Sequence, residues 1–119
     1  MKFWKMNGAG NDFILIDARK ETINEEMLPE LIRTICERHL SLGADGVMLI
    51  EEARTPEADL GMRYFNADGS AGEMCGNGAR CICRYAYENG LAGDVQRIET
   101  DSGIVVGHRM DQRFYKVRL

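Results

Sequence analysis

Proline and tryptophan are scarce in this chain, two and one in 119 residues, and no apolar run approaches the roughly 18 residues of a membrane-spanning helix. A helical membrane span is thereby excluded. No block of lysine or arginine occurs, and the formal net charge is -4, so no basic stripe is available to neutralise a phosphate backbone. Nucleic acid is not expected as a partner. The first residues, Met1-Lys2-Phe3-Trp4-Lys5-Met6, lack the long apolar core of a secretion signal, and a cytoplasmic location is expected. Repeats, linkers and low-complexity segments are missing as well.

Cysteine is limited to Cys36, Cys75, Cys81 and Cys83. In a reducing compartment these are thiols, to be explained by packing, reactivity or metal. Cys36 and His39 form a C-x2-H pair, but the other three cysteines do not follow in the paired spacing of a structural zinc site, so no metal is expected. Gly8-Ala9-Gly10 opens like a dinucleotide fingerprint. Phe13 then stands where the third glycine belongs, and a strand pattern follows where a helix is required. Neither glycine-rich loop runs into Gly-Lys-Ser/Thr, which excludes a Walker-type phosphate loop.

What the chain does have is glycine, 13 residues, with 45% hydrophobic and 29% charged residues. Many glycines with few prolines suit a strand-rich chain with tight corners. The length suits a single domain, residues 1–119, able to bury roughly two-thirds of its unfolded surface. Short strands are expected over 2–6 and 13–17, with Asn7-Gly8-Ala9-Gly10-Asn11-Asp12 as a loop between them. Leu28, Leu31, Ile32, Ile35, Cys36 and Leu40 follow helical spacing, with Pro29 in the first turn, Arg38 and His39 near the end, and Gly43 as a stop. After the turn Gly43-Ala44-Asp45-Gly46, strands are expected over 47–51 and 62–65. The turn Asn66-Ala67-Asp68-Gly69-Ser70 and the glycine-rich stretch Ala71-Gly72-Glu73-Met74-Cys75-Gly76-Asn77-Gly78 come next.

A helix over about 77–88 follows. Arg80, Arg84 and Glu88 lie four apart and make one narrow polar stripe on a helix apolar almost all round, which predicts burial. Strands over 95–99, 104–110 and 114–119 complete an α+β fold: a curved, largely antiparallel sheet around a buried helix, with a second helix covering it. The chain stops inside a strand pattern, as a fragment would.

Cys75 precedes Gly76-Asn77-Gly78 at the mouth of that helix. The first N–H groups of a helix have no internal partners, so they suit a carboxylate and favour a thiolate. The alternative is a turn cysteine that merely packs. Cys36, Cys81 and Cys83 fall on apolar faces and read as packing residues. Asn11 and Asn66 can donate and accept hydrogen bonds to a zwitterionic ligand, or act as turn residues bonding locally.

Phe3-x-Lys5-Met6-x-Gly8-x-Gly10-Asn11-Asp12-Phe13, Gly43-Ala44-Asp45-Gly46, Phe65-Asn66-Ala67-Asp68-Gly69-Ser70 and Met74-Cys75-Gly76-Asn77-Gly78-Ala79-Arg80-Cys81 together resemble, in order, the motifs of diaminopimelate epimerases. The resemblance covers essentially the whole chain but about half of a family member. It implies an isomerase of lysine and peptidoglycan precursor biosynthesis that interconverts LL- and meso-diaminopimelate without pyridoxal phosphate or metal. Two cysteines on opposite faces of the substrate Cα would exchange its proton, and Cys75 matches the first. Gly76 and Asn77 match the substrate-binding backbone, Asn11 and Asn66 the polar contacts. Some members carry glutamine where this chain has Gly46, so that side-chain contact is absent.

The implied fold has two similar domains with the active site between them. The second cysteine lies in the C-terminal domain, and the first domain borrows its final strand from the far C-terminus. The implied partners are a small amino-acid substrate and that C-terminal domain. A homodimer of this chain, presenting Cys75 from both sides, is a separate assembly to test. A cofactor-independent racemase or isomerase of the same fold, and a non-catalytic binding module, are the alternatives.

Overall fold

In the computed structural model of the protein, residues 2–8, 11–20, 22–38, 44–73, 76–110 and 115–118 are described. The elements run β1 (Lys2–Gly8), β2 (Asn11–Asp17), α1 (Leu28–Arg38), β3 (Ala44–Glu51), β4 (Leu60–Asn66), α2 (Gly76–Glu88), β5 (Val95–Thr100), β6 (Gly103–Arg109) and β7 (Tyr115–Arg118). All strands join one seven-stranded sheet in chain order, β1 to β7. Four neighbouring pairs run antiparallel: β1–β2, β3–β4, β5–β6 and β6–β7. The β2–β3 and β4–β5 pairs are parallel, because α1 and α2 cross between them.

The two faces of this sheet hold two cores, as alternation along each strand requires. Phe13, Leu15, Met48, Ile50, Leu60 and Met62 face α2, which buries Ala79, Cys81, Ile82, Cys83, Tyr85 and Ala86 among them. Ile14, Ile16, Val47, Leu49 and Phe65 face α1, which contributes Leu28, Ile32 and Cys36. Helix α2 touches β1 and β2 at one side of the sheet and β5, β6 and β7 at the other. The sheet therefore curves round α2, while α1 covers its outer face.

The polar stripe of α2 is where its periodicity places it. Arg80 and Glu88 are exposed, and Arg84 Nε donates to Glu88 Oε1 at 2.8 Å. Among the described residues no helix is long and apolar enough to cross a membrane.

Several boundaries differ from expectation, and each difference bears on the site. Of residues 7–12, expected as a loop, Asn7 and Gly8 belong to β1 and Asn11 and Asp12 to β2. The β1–β2 ladder continues through Asn7↔Asp12 and Gly8↔Asn11, leaving only residues 9 and 10 to connect the strands. A continuing ladder satisfies backbone groups that a wide loop would leave to water. Residues 44–46, expected as a turn, belong to β3. There Asp12 pairs with Ala44 and Phe13 with Gly46, so Asp45 is an extra residue in the ladder, a bulge. The expected positions of Cys75, His39, Leu40, Gly43, Phe114 and Leu119 lie outside the described residues.

Candidate active site

Helix α2 begins at Gly76, directly after Cys75 in the chain. Gly76 and Asn77 are half-buried, and Gly78 and Ala79 are buried. The first turn carries no acidic side chain, so the unpaired N–H groups of the helix mouth keep their positive field. Asn77 Oδ1 accepts a hydrogen bond from Arg80 at 3.0 Å, which ties the first turn to the exposed stripe. Cys75 itself is outside the described residues.

Asn66 is the last residue of β4 rather than part of a loop. Its N–H donates to the Ser70 carbonyl at 2.8 Å, and its carbonyl accepts from the Gly69 N–H at 3.0 Å. Its side-chain amide donates to Ser70 Oγ at 3.1 Å, and Ser70 in turn donates to Asp68 from both N–H and Oγ, at 2.9 and 2.6 Å. These bonds hold the Asp68 carboxyl below its usual range. These bonds are those of the turn reading of Asn66. Its backbone closes a turn, while its Oδ1 reaches Gly72, where a Cβ would lie 2.8 Å from it.

Asn11 is the first residue of β2, opposite Gly8, and not a loop residue. Its side chain is outside the described residues. The pairing Met6↔Phe13, Phe13↔Gly46 and Gly46↔Asn66 runs as one row across four strands. Asn11 stands two residues before Phe13 on that end of the sheet. Lys5 Nζ lies 3.3 Å from Asp12 Oδ2 across the β1–β2 hairpin.

From Asn66 the chain folds back along β4. Ala71 bridges Phe65 and the Gly72 N–H donates to the Tyr64 carbonyl at 3.1 Å. This return takes the β4 edge that β5 leaves, because β5 pairs only with Leu60 and Gly61. A cleft of about 200 Å³ opens there, lined by Tyr64, Gly72, Glu73 and the β5–β6 turn. Residues 74 and 75, which follow in the chain before α2, lie outside the described residues. The fold thus brings Asn66 and Gly72 together.

Tyr64 belongs to this group and was not among the residues expected from sequence. The tip of its ring fills the space over Gly46: a Cβ there would press on the hydroxyl and lie 2.6 Å from Cζ. The available signal was the alternation Leu60, Met62, Tyr64, Asn66, which puts all four on the face toward α2.

The remaining described thiols are buried. Burial raises the Cys36 thiol and pushes Cys83 up to about 12. Cys81 is buried on the same helix. Among the described residues, no group of three or more His, Cys, Asp or Glu is placed to hold a metal ion.

A family model described as diaminopimelate epimerase matches residues 3–114. Curated relatives of that name include one from Hydrogenobaculum sp. (strain Y04AAS1), 46% identical, with the match covering 100% of this chain and 45% of the relative. Another, from Nitrosospira multiformis, is 50% identical across 89% of this chain and 38% of its own length. The chain spans less than half the length of these relatives. Among solved structures, a methylitaconate-delta-isomerase superposes with a TM-score of 0.68 at 14% identity, over 93% of this chain and 35% of that one. A hydroxyproline epimerase from Agrobacterium vitis gives 0.67 at 18% identity, over 97% and 40%. At such identities the structures share the fold.

Proposed function

Because the chain belongs to the diaminopimelate epimerase family, we propose that residues 1–119 are the N-terminal domain of a cytoplasmic, cofactor-independent epimerase that interconverts LL- and meso-diaminopimelate. The observation that carries this reading is the mouth of α2. A buried helix opens at Gly76, one residue after Cys75 in the chain, and the segment before it folds back along β4 from Asn66.

The chemistry follows from that placement. An amino-acid Cα–H is a very weak acid. The substrate carboxylate at the N–H groups of Gly76 and Asn77 would meet positive partial charge where negative charge develops on deprotonation. The Cys75 thiolate takes the Cα proton and becomes a thiol. A second thiol, supplied by the C-terminal domain, gives its proton to the opposite face and becomes a thiolate. The substrate leaves inverted, and the two sulfurs have exchanged roles. Asn11 and Asn66 supply polar contacts to the substrate. The partner domain excludes water, without which the helix field is screened.

The test uses protein made from the full coding sequence. Stereoinversion of diaminopimelate and exchange of its α-proton with heavy water are measured for the wild type and for Cys75→Ala. Inversion abolished in the variant, with folding retained, is expected. A Cys75→Ala protein that inverts at the wild-type rate would overturn the assignment of the thiol. Inversion of proline or hydroxyproline in place of diaminopimelate would overturn the substrate.

A further inference from the structure

Arg80 breaks the charge pattern that α1 keeps. A helix dipole favours acidic side chains in the first turn and basic ones in the last. Helix α1 has Glu30 in its first turn, where it pairs with Arg33 at 3.8 Å. Helix α2 has no acidic residue in its first turn and no basic residue in its last. Its Arg80 instead sends a cation back to the N-terminus. Arg80 Nη1 donates to Asn77 Oδ1 at 3.0 Å and would lie 3.8 Å from a Cβ on Gly76. The Cα–Cβ bonds of a helix tilt toward its N-terminus, so a long side chain four residues on reaches back over Gly76.

A solvated surface arginine accounts for exposure, and Arg80 is exposed. It does not account for the direction. A cation brought to the positive end of a helix works against the dipole and does nothing for folding by itself. Arg84, the next residue of the stripe, is held by Glu88 at 2.8 Å. Among the described residues no carboxylate pairs with Arg80, and Asn77 Oδ1 takes one of the five N–H donors of its guanidinium. Positive charge therefore collects at Gly76 and Asn77, the two residues whose N–H groups the epimerase reading assigns to the substrate carboxylate.

We propose that Arg80 is a positioning residue for the substrate carboxylate: its guanidinium holds Asn77 through Oδ1 and adds a positive charge beside the N–H groups of Gly76 and Asn77. The proposal rests on the epimerase reading above. Because the side chain is exposed, the effect is moderate and falls as salt rises.

The test compares wild type, Arg80→Gln, Arg80→Lys and Arg84→Gln in protein made from the full coding sequence. Thermal midpoint, KM for stereoinversion and diaminopimelate binding by calorimetry are measured at low and high salt. Arg80→Gln should keep its thermal midpoint, since the charge it removes opposes the helix dipole. Its KM and dissociation constant at low salt should rise roughly two- to five-fold, and the difference from wild type should shrink at high salt. Arg80→Lys keeps the charge and should recover most of the loss. Arg84→Gln, one turn further from the mouth, should bind like wild type. Wild-type affinity in Arg80→Gln, with the wild type active, overturns the role of Arg80 and leaves the epimerase reading standing. Equal losses in Arg80→Gln and Arg84→Gln, or a loss that neither salt nor lysine alters, overturn it too. If Arg80→Gln does not fold, Arg80→Met, which keeps the apolar stem, decides by the same criteria. Failure of both to fold makes Arg80 structural and overturns the proposal. A wild type that neither binds nor inverts diaminopimelate overturns both the proposal and the reading beneath it.

Discussion

Cys83 on α2 and Gly107 on β6 approach so closely that a Cβ at 107 would press on the Cys83 sulfur and lie 3.0 Å from its Cβ and 2.9 Å from Gln96 Oε1. Both residues are buried. Gly107→Ala therefore overpacks the core and should destabilise by about 1–3 kcal/mol. Cys83→Ala removes one buried atom and should cost about 1 kcal/mol. The double variant should lose less than the sum, because removing the sulfur makes room for the new methyl. It should not recover fully, since the Gln96 contact remains. Urea midpoints of the four proteins measure the coupling; strict additivity would refute the contact.

The same thiol gives stability a dependence on alkaline pH. Burial pushes Cys83 up to about 12 from an ordinary value of 9.0. Between those values the unfolded chain has released a proton that the folded chain keeps, so the unfolded state binds fewer protons and stability falls as pH rises. The contribution is fully present below the unfolded value. Cys36, raised by burial too, acts in the same direction. Unfolding measured near neutrality and again around pH 10 should show a drop in stability that Cys83→Ala reduces but does not remove.

Brief alkylation at neutral pH should rank the thiols. Cys36, Cys81 and Cys83 are buried, and two of them are held in the unreactive thiol form. Cys75 adjoins the helix mouth at Gly76 and should be labelled first. Peptide mapping that finds Cys81 or Cys83 labelled as fast would contradict the assignment. Cys75→Ala should leave the thermal midpoint near that of the wild type.

The 119-residue chain alone should not invert diaminopimelate. Residues 1–119 supply one of the two thiols that the proposed exchange needs, and by themselves leave the proposed cleft open to water. Slow α-proton exchange without inversion is compatible with one base. Inversion near the rate of a full-length relative would contradict the two-domain requirement, and a homodimer presenting Cys75 from both sides would then be the assembly to look for.

Helix α2 was legible because its signal is local. Arg80, Arg84 and Glu88 repeat at one face, and the other positions are apolar. The strands over 47–51 and 62–65 were legible for the same reason, since each is a short run bounded by turn residues. The parallel joints were not. Pairing β2 with β3 depends on α1 crossing the sheet, and no spacing within either strand records its neighbour. The bulge at Asp45 was missed because Gly43-Ala44-Asp45-Gly46 has the composition of a turn, and only the Phe13↔Gly46 pairing shows that it continues the ladder. Asn11 was misplaced through the same glycine-rich signal. The seat of Tyr64 over Gly46 joins two strands and has no one-strand signature.

The order of strands in the sheet is the order in which they are synthesised, and α2 emerges between β4 and β5. On the ribosome, β1 to β4 can therefore assemble in sequence with α1 across their outer face. Helix α2 can then lean on β1 and β2, but the half of its surface that β5, β6 and β7 will cover is still bare. Cys83 marks that interval, because its partner Gly107 is made last of the pair. A nascent chain halted before β6 should expose the Cys83 sulfur to reagents that the finished domain excludes.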